Sequence, residues 1–263
     1  MSRTRPRGLP LLLAFDFDGT LVPDGCPELP ADLPPVLRRM HGLGVKLAAV
    51  TGRDVLPHGI EDAIPFDALA TQNGGHVEVG GAVQQALYFS DDELEAVLAH
   101  GLDGVRLMMF SGGQMYVDLP EGEIPTQQQL ARNPRPVSEI PTGRVQKVNF
   151  FHPEVARHAS RLREHAAGFT VTGAQPPYAG MMTVTPKGAH KGGGLRVLAE
   201  GLGIPLTRTI VFGDSDNDLA MFEVAGYAVQ SGNLPLLRPH ADEQISSPEA
   251  LAAWLETLVE ELQ

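Results

Sequence analysis

The stretch Leu11-Leu12-Leu13-Ala14-Phe15-Asp16-Phe17-Asp18-Gly19-Thr20-Leu21-Val22 joins an unbroken apolar run to two carboxylates separated by a single residue. A run without polar alternation predicts a strand buried on both faces, the habit of parallel sheets. Gly19 ends it. Side chains two positions apart on a strand share a face, so Asp16 and Asp18 are expected to leave its carboxyl end together, where open α/β sheets bind ligands. Close carboxylates repel, and a bound cation or a raised pKa relieves the repulsion. Asp-Gly is also a common turn dipeptide, so these residues alone leave two readings open, a solvated turn and a chemical site.

The chain has 263 residues, 43% hydrophobic and 20% charged, enough to bury the core of one large domain or two modest ones. Its formal net charge of −12 argues against nucleic acid or an anionic membrane as a main partner, because both demand a basic surface. Cys26 is the single cysteine, which excludes an intramolecular disulfide and a cysteine metal cluster. It reads as an ordinary loop thiol. Arg3, Arg5 and Arg7 precede the apolar run as in a signal peptide, but the run is short and leads into acids with no small-residue cleavage site. No run has the length of a membrane span, and a cytoplasmic location is the expectation.

A proline-rich loop over 23–33 follows the first strand, then a helix over 33–41 and a strand over 45–50 that ends in Thr51-Gly52-Arg53-Asp54. A hydroxyl followed by glycine there either meets an anionic oxygen or caps a following helix. With a third strand over 66–70, the order predicts a parallel sheet with crossover helices. The pattern then changes to a hairpin at 77–79 and 83–89, helices over 91–100 and 153–165, and strands at 105–110, 115–117, 145–151, 169–172 and 181–185. The polar, proline-broken stretch 126–141 takes no assignment. This mixture predicts an α+β module at 86–185 inserted into a core formed by 1–85 and 186–263. The parallel pattern returns with a helix at 194–201, a strand at 209–212 ending in Gly213-Asp214-Ser215-Asp216-Asn217-Asp218, a helix at 219–225, a strand at 227–230 and a last helix over 248–262. Ser247 is its expected N-cap, with Pro248 in the first position.

The chemistry-bearing residues therefore gather at strand carboxyl ends or a helix start: Asp16 with Asp18, Thr51, Lys191 before Gly192-Gly193-Gly194, and Asp214 with Asp218. Converging carboxylates call for a hard cation, and oxygen ligands suit Mg²⁺. A lysine and a hydroxyl beside them attract a phosphoryl group, whose transfer rests on positioning and charge neutralisation. No histidine cluster of the zinc-binding kind is evident.

On these motifs the chain resembles the haloacid dehalogenase superfamily, specifically its Cof-like phosphatases, which are similar to sucrose-phosphate and mannosyl-phosphoglycerate phosphatases. Asp16-Phe17-Asp18-Gly19-Thr20-Leu21 matches the family's first motif, Val50-Thr51-Gly52-Arg53 the second, Lys191-Gly192 the third and Gly213 to Asp218 the fourth; Asn73-Gly74 and Gly232-Asn233 match secondary features. The resemblance implies an α/β fold: a Rossmann-like core with a parallel sheet plus an inserted α+β cap domain. It implies a Mg²⁺-dependent phosphomonoester hydrolase working through an aspartyl-phosphate on a small phosphorylated metabolite of the sugar-phosphate class. Asp16 would be the nucleophile and Asp18 the acid and base. Mg²⁺ would be held by Asp16, the Asp18 carbonyl and Asp214, with Asp218 either ligating it or holding a metal-bound water, and phosphate by Thr51, Gly52, Lys191 and Asn217. Lys191 is preferred over Lys187, read as a hinge or surface lysine, and His190 reads as solvated. Arg53, Lys147, Asn149, Tyr178 and Met181 are the candidate substrate contacts, with a surface ion pair the alternative for Arg53. A phosphomutase of the phosphomannomutase type is the alternative enzyme and a non-catalytic sugar-phosphate sensor the alternative class, although binding alone would not require Asp18. Neither nucleic acid nor membrane is an expected partner, and a monomer or weak homodimer is the expected state.

Overall fold

The computed structural model describes residues 3–24, 28–164, 168–175 and 178–263, apart from the Gln128 side chain. Cys26 and the end of the helix expected over 153–165 lie outside the described residues. The chain runs through β1 (Leu12–Phe15), α1 (Leu33–Gly42), β2 (Lys46–Val50), a short α2 (Ile60–Ala63), β3 (Ala68–Thr71), β4 (His76–Val79) and β5 (Ala82–Ala86). Next come α3 (Asp91–Leu98), β6 (Arg106–Ser111), β7 (Gln114–Asp118), α4 (Gln127–Leu130), β8 (Arg135–Pro136), β9 (Lys147–Phe151), α5 (Val155–Glu164), β10 (Phe169–Gly173) and β11 (Met181–Pro186). The last segment carries α6 (Lys191–Gly201), β12 (Thr209–Gly213), α7 (Leu219–Val224), β13 (Tyr227–Ser231), β14 (Glu243–Ile245) and α8 (Leu251–Leu262). Two compact units result, Met1–Ala86 with His190–Gln263, and Leu87–Ala189.

The first unit is organised on a sheet ordered β14-β13-β12-β1-β2-β3-β4-β5. β1 lies between β12 and β2 and is parallel to both. That inner position accounts for its unbroken apolar sequence. Leu11, Leu13 and Phe15 pack with residues of α1 and α8, and Phe15 stacks on Phe212 at 4.8 Å. Leu12 and Ala14 pack on the other face with residues of α6 and α7. Each leucine or phenylalanine buried this way contributes about 1.5–3 kcal/mol, which anchors the strand whose end carries Asp16. The hairpin β4–β5 extends the same sheet antiparallel to β3. β14 is too short, at three residues, to show a period in sequence.

The second unit is a sheet ordered β10-β11-β9-β6-β7-β8, antiparallel except where β8 meets β7. Alternation sets its core: Leu107, Met109, Val148, Phe150, Met182 and Val184 pack with Val97 of α3 and with Val155, Ala159 and Leu162 of α5. Ser90 and Glu93 close a capping box at the start of α3. The stretch 126–141, unassigned from sequence, forms α4 behind a Thr126 capping box and then β8.

Three boundaries differ from expectation. Pro186 pairs with Phe169, and Thr185 Oγ1 donates to the Ala189 carbonyl at 2.5 Å, so 186–189 belongs to the second unit rather than to the core. α6 starts at Lys191, ahead of the expected residue 194, because Gly192 and Gly194 let its first turn approach the Ala220 and Gly74 backbones closely. Ser247 and Pro248 take the expected N-cap and first positions, but Ser247 makes no side-chain cap bond and the first turn, Pro248–Ala250, is 3₁₀ helix ahead of α8. Among the described residues no helix is long and apolar enough to cross a membrane.

Candidate active site

Asp16 follows β1 directly, and its N–H still bonds the Phe212 carbonyl at 2.9 Å. The carboxylate therefore leaves the sheet at the end of a central strand. The chain then turns back, with the Leu21 and Val22 N–H groups donating to the Phe17 carbonyl at 2.9 and 3.0 Å. Gly19 makes this turn at φ +75°, and a Cβ there would lie 2.5 Å from the Asp214 carboxylate. Only glycine meets both conditions without backbone strain or a shift of the Asp214 side chain. Thr20 Oγ1 donates to Asp214 Oδ1 at 3.2 Å.

Asp214 leaves β12 beside this turn, and Asp218 holds the loop after it. Asp218 Oδ2 accepts the N–H groups of Asp214 and Ser215, both at 2.9 Å, while Oδ1 accepts from Lys191 Nζ at 2.6 Å. Lys191, with 0% of its side chain exposed, reaches Asp16 Oδ1 at 2.6 Å as well. A charge so deeply desolvated persists only when paired on several sides.

Burial, then repulsion from Asp218, raises the Asp16 pKa to about 7 against the opposing pull of Lys191. Burial, then Asp16 and Asp218, raises Asp214 to about 9. Burial opposes the charge on Lys191, but the attraction of Asp16 and Asp218 outweighs it and lifts its pKa. The three acids offer oxygens within 4.8 Å of one another. Such a hard-oxygen cluster, with repulsion that a divalent cation would relieve, fits Mg²⁺. Asp16 and Asp214 present the freer oxygens, since Asp218 already accepts three hydrogen bonds.

The Asp18 side chain does not join this cluster. It pairs with Arg53, which donates Nε to Oδ2 at 2.8 Å and Nη2 to Oδ1 at 2.6 Å while lying over the Phe17 ring at 4.9 Å. The expected convergence of four carboxylates is thus corrected to three, because the Gly19 turn sends Asp18 the other way. Arg53 takes the ion-pair alternative.

Thr51 is buried and caps no helix; its Oγ1 accepts the Arg53 N–H at 3.1 Å. Gly52 lies against the Asn73 and Asn217 amides, and Asn217 Nδ2 donates to Asn73 Oδ1 at 3.1 Å. His190, read from sequence as solvated, instead caps α6: its Nδ1 accepts the Gly193 N–H at 3.1 Å, and burial lowers its pKa. The sequence carried no signal for that cap, because histidine is not among the preferred N-cap residues and the helical pattern reads only from residue 194. Lys187 is exposed.

In the second unit, the β9 and β11 register puts Lys147, Asn149, Met181 and Thr183 on the sheet face opposite the one packed on α3 and α5. Thr183 Oγ1 donates to Asn149 Oδ1 at 3.1 Å, and Lys147, itself buried, sits over the Phe110 ring at 4.1 Å. Tyr178 is on the loop before β11, its carbonyl accepting the Met181 N–H at 3.0 Å.

Residues 13–250 match a family model for haloacid dehalogenase-like hydrolases. The chain is 31% identical over 256 residues to an HMP-PP phosphatase of Escherichia coli, covering 87% of this chain and 88% of that one. It is 27% identical over 235 residues to a phosphoglycolate phosphatase of Methanothermobacter thermautotrophicus, covering 88% and 89%. The fold matches that of the haloacid dehalogenase subclass IIB sugar phosphatase BT4131, with a TM-score of 0.77 and 22% identity over 94% of this chain and 98% of that one. The chain therefore belongs to the haloacid dehalogenase-like hydrolases, among their Cof-like phosphatases.

Proposed function

We propose that this phosphatase hydrolyses a small phosphorylated metabolite of the sugar-phosphate class, using Asp16 as nucleophile and Mg²⁺ as cofactor. The observation that carries the reading is the buried Lys191, which holds Asp16 at 2.6 Å at the end of β1. A carboxylate oxygen fixed beside a permanent cation is aimed at an anionic phosphoryl group without meeting its full repulsion.

In the first step an Asp16 oxygen bonds to phosphorus, the ester P–O bond breaks, and Asp18 gives its proton to the leaving alkoxide. In the second, Asp18 takes a proton from water, the water oxygen bonds to phosphorus, and the bond to Asp16 breaks to free inorganic phosphate. Thr51, Gly52, Lys191 and Asn217 grip the phosphoryl oxygens. Asp16, the Asp18 carbonyl and Asp214 would hold Mg²⁺, with Asp218 behind them, and the ion supplies charge neutralisation at the phosphoryl group. Arg53 positions Asp18. The second unit acts as the cap, with Lys147, Asn149, Tyr178 and Met181 as its substrate contacts. A cytoplasmic monomer or weak homodimer, with neither nucleic acid nor membrane as partner, completes the reading.

The test is turnover of p-nitrophenyl phosphate with Mg²⁺, followed by a panel of sugar phosphates, phosphoglycolate and pyrimidine phosphates. Asp16→Asn should abolish turnover while leaving the fold intact. Unchanged turnover in that variant, or activity confined to phosphoproteins, would overturn the reading. A coupled assay for isomerised sugar phosphate separates hydrolysis from a mutase.

A further inference from the structure

Between β3 and β4 the chain makes a turn at Gln72–Gly74 that is strained and almost wholly enclosed. Gln72 and Asn73 take φ +54° and +55°, the left-handed region, although neither is glycine. Both are 2% exposed, and Gln72 Oε1 has no hydrogen-bond partner among the described residues. Two such residues in succession plus a buried orphan oxygen persist only where surrounding contacts over-determine them, and strain of this kind gathers at functional sites. Of the two, asparagine is a residue that tolerates this region.

The contacts of the turn reach each separate element proposed to grip phosphate. The Asn73 N–H donates to the Thr51 carbonyl at 3.0 Å, and the Gln72 N–H to the Arg53 carbonyl at 2.8 Å. The backbone on both sides of Gly52 is therefore pinned from one place. Asn73 Oδ1 accepts from Asn217 Nδ2 at 3.1 Å, which fixes that amide's orientation, and Ser215 Oγ donates to Asn217 Oδ1 at 3.0 Å to complete the fix. Gly74 lies against the first turn of α6, where a Cβ would stand 2.7 Å from the His190 carbonyl and 2.9 Å from Gly194. That turn of helix carries Lys191.

We infer that Asn73 is a positioning residue for phosphate binding: through its amide it orients Asn217, and through its backbone N–H it holds Thr51. The inference rests on the phosphate-gripping roles given above. It adds that Asn217 grips well only while Asn73 faces it. Asn73→Gly tests the side chain with little backbone penalty, since glycine adopts φ +55° freely. Asn73→Asp also tolerates this region and leaves an acceptor facing the Asn217 amide.

The experiment is a double-mutant cycle read by calorimetric binding of inorganic phosphate in the presence of Mg²⁺, with thermal unfolding recorded for each variant. Binding is chosen because it is independent of turnover: the phosphatase reading fails separately, if wild type binds phosphate but hydrolyses no ester. Asn73→Gly and Asn217→Ala should each weaken phosphate binding on the order of ten-fold, the scale of one hydrogen bond to a charged group, and the double variant should be no weaker than either. In the Asn73→Asp background, Asn217→Ala should again weaken binding several-fold. A Kd within about two-fold of wild type for Asn73→Gly or for Asn217→Ala, or additive losses in the double variant, overturns the inference. If Asn73→Gly does not fold, the Asn73→Asp arm decides alone: no effect of Asn217→Ala in that background overturns it too.

Discussion

Arg53 grips both carboxylate oxygens of Asp18, at 2.6 and 2.8 Å, while its guanidinium lies over the Phe17 ring. Phe17 itself is buried between the two acids in sequence. The acid proposed to carry the proton is therefore held by an arginine from the second motif and aimed away from the three-carboxylate cluster.

Because this pair is part-exposed, its removal should cost little stability, under about 1 kcal/mol. Its effect is expected in kcat. Arg53→Lys loses the two-pronged geometry and should lower kcat about ten-fold with KM changed less. A normal kcat for Arg53→Lys would remove Arg53 from the proposed machinery.

Lys191 is the central cation of the site. Lys191→Met leaves Asp16 and Asp218 facing each other with no buried positive charge. Breaking a buried pair on one side should destabilise the fold by about 3–5 kcal/mol. Denaturant unfolding measures the loss, and p-nitrophenyl phosphate turnover should vanish with it.

Asp16 and Asp214 have folded pKa values near 7 and 9, above the ordinary 3.8. Groups raised in this way bind more protons folded than unfolded, so their contribution is complete below the unfolded value and is lost as pH rises through the folded ones. The metal-free protein should therefore lose thermal stability progressively from about pH 4 to about pH 9. Mg²⁺ should raise the Tm more at about pH 8.5 than at about pH 6, because ligand binding favours the folded state and proton competition for the carboxylates falls. An equal gain at both pH values would separate the cluster from the ion.

Gly19→Ala tests the close approach of the first turn to Asp214. The substitution combines a left-handed backbone, costing about 1–2 kcal/mol, with a Cβ 2.5 Å from the carboxylate. It should abolish the Mg²⁺-dependent rise in Tm as well as turnover. A variant that keeps both would show that the Asp214 position is not critical.

His158 in the second unit is buried, with Nε2 on the Val97 carbonyl at 2.9 Å and its ring edge-on to Phe150 at 5.1 Å. Burial lowers its pKa from 6.5 to about 4. The neutral ring is the folded form, so stability present above about pH 6.5 is lost as pH falls toward 4. Thermal unfolding at about pH 7 and about pH 5 should show that loss in wild type and a smaller one in His158→Gln.

The sequence by itself determined the central strand, the parallel strands β1, β2, β3, β12 and β13 in their order, the inserted α+β module and the acids at the strand ends. Each of these follows from a local rule: apolar runs without alternation, glycine punctuation, and polar residues where such runs stop. Tertiary structure decided the rest, because contacts across 35 residues for Asp18 with Arg53, or 144 for Asn73 with Asn217, leave no period in the sequence. The shared-face rule held for β1 only up to Phe15, since the Gly19 turn ends the strand before Asp18 and sends the two acids to different cations. His190 as a helix cap, Lys191 inside α6 rather than before it, and the Asn73 turn were all decided by how closely glycine backbones pack around that helix's first turn. Local chemistry names the residues of this site; only the packing of distant segments assigns each one its partner.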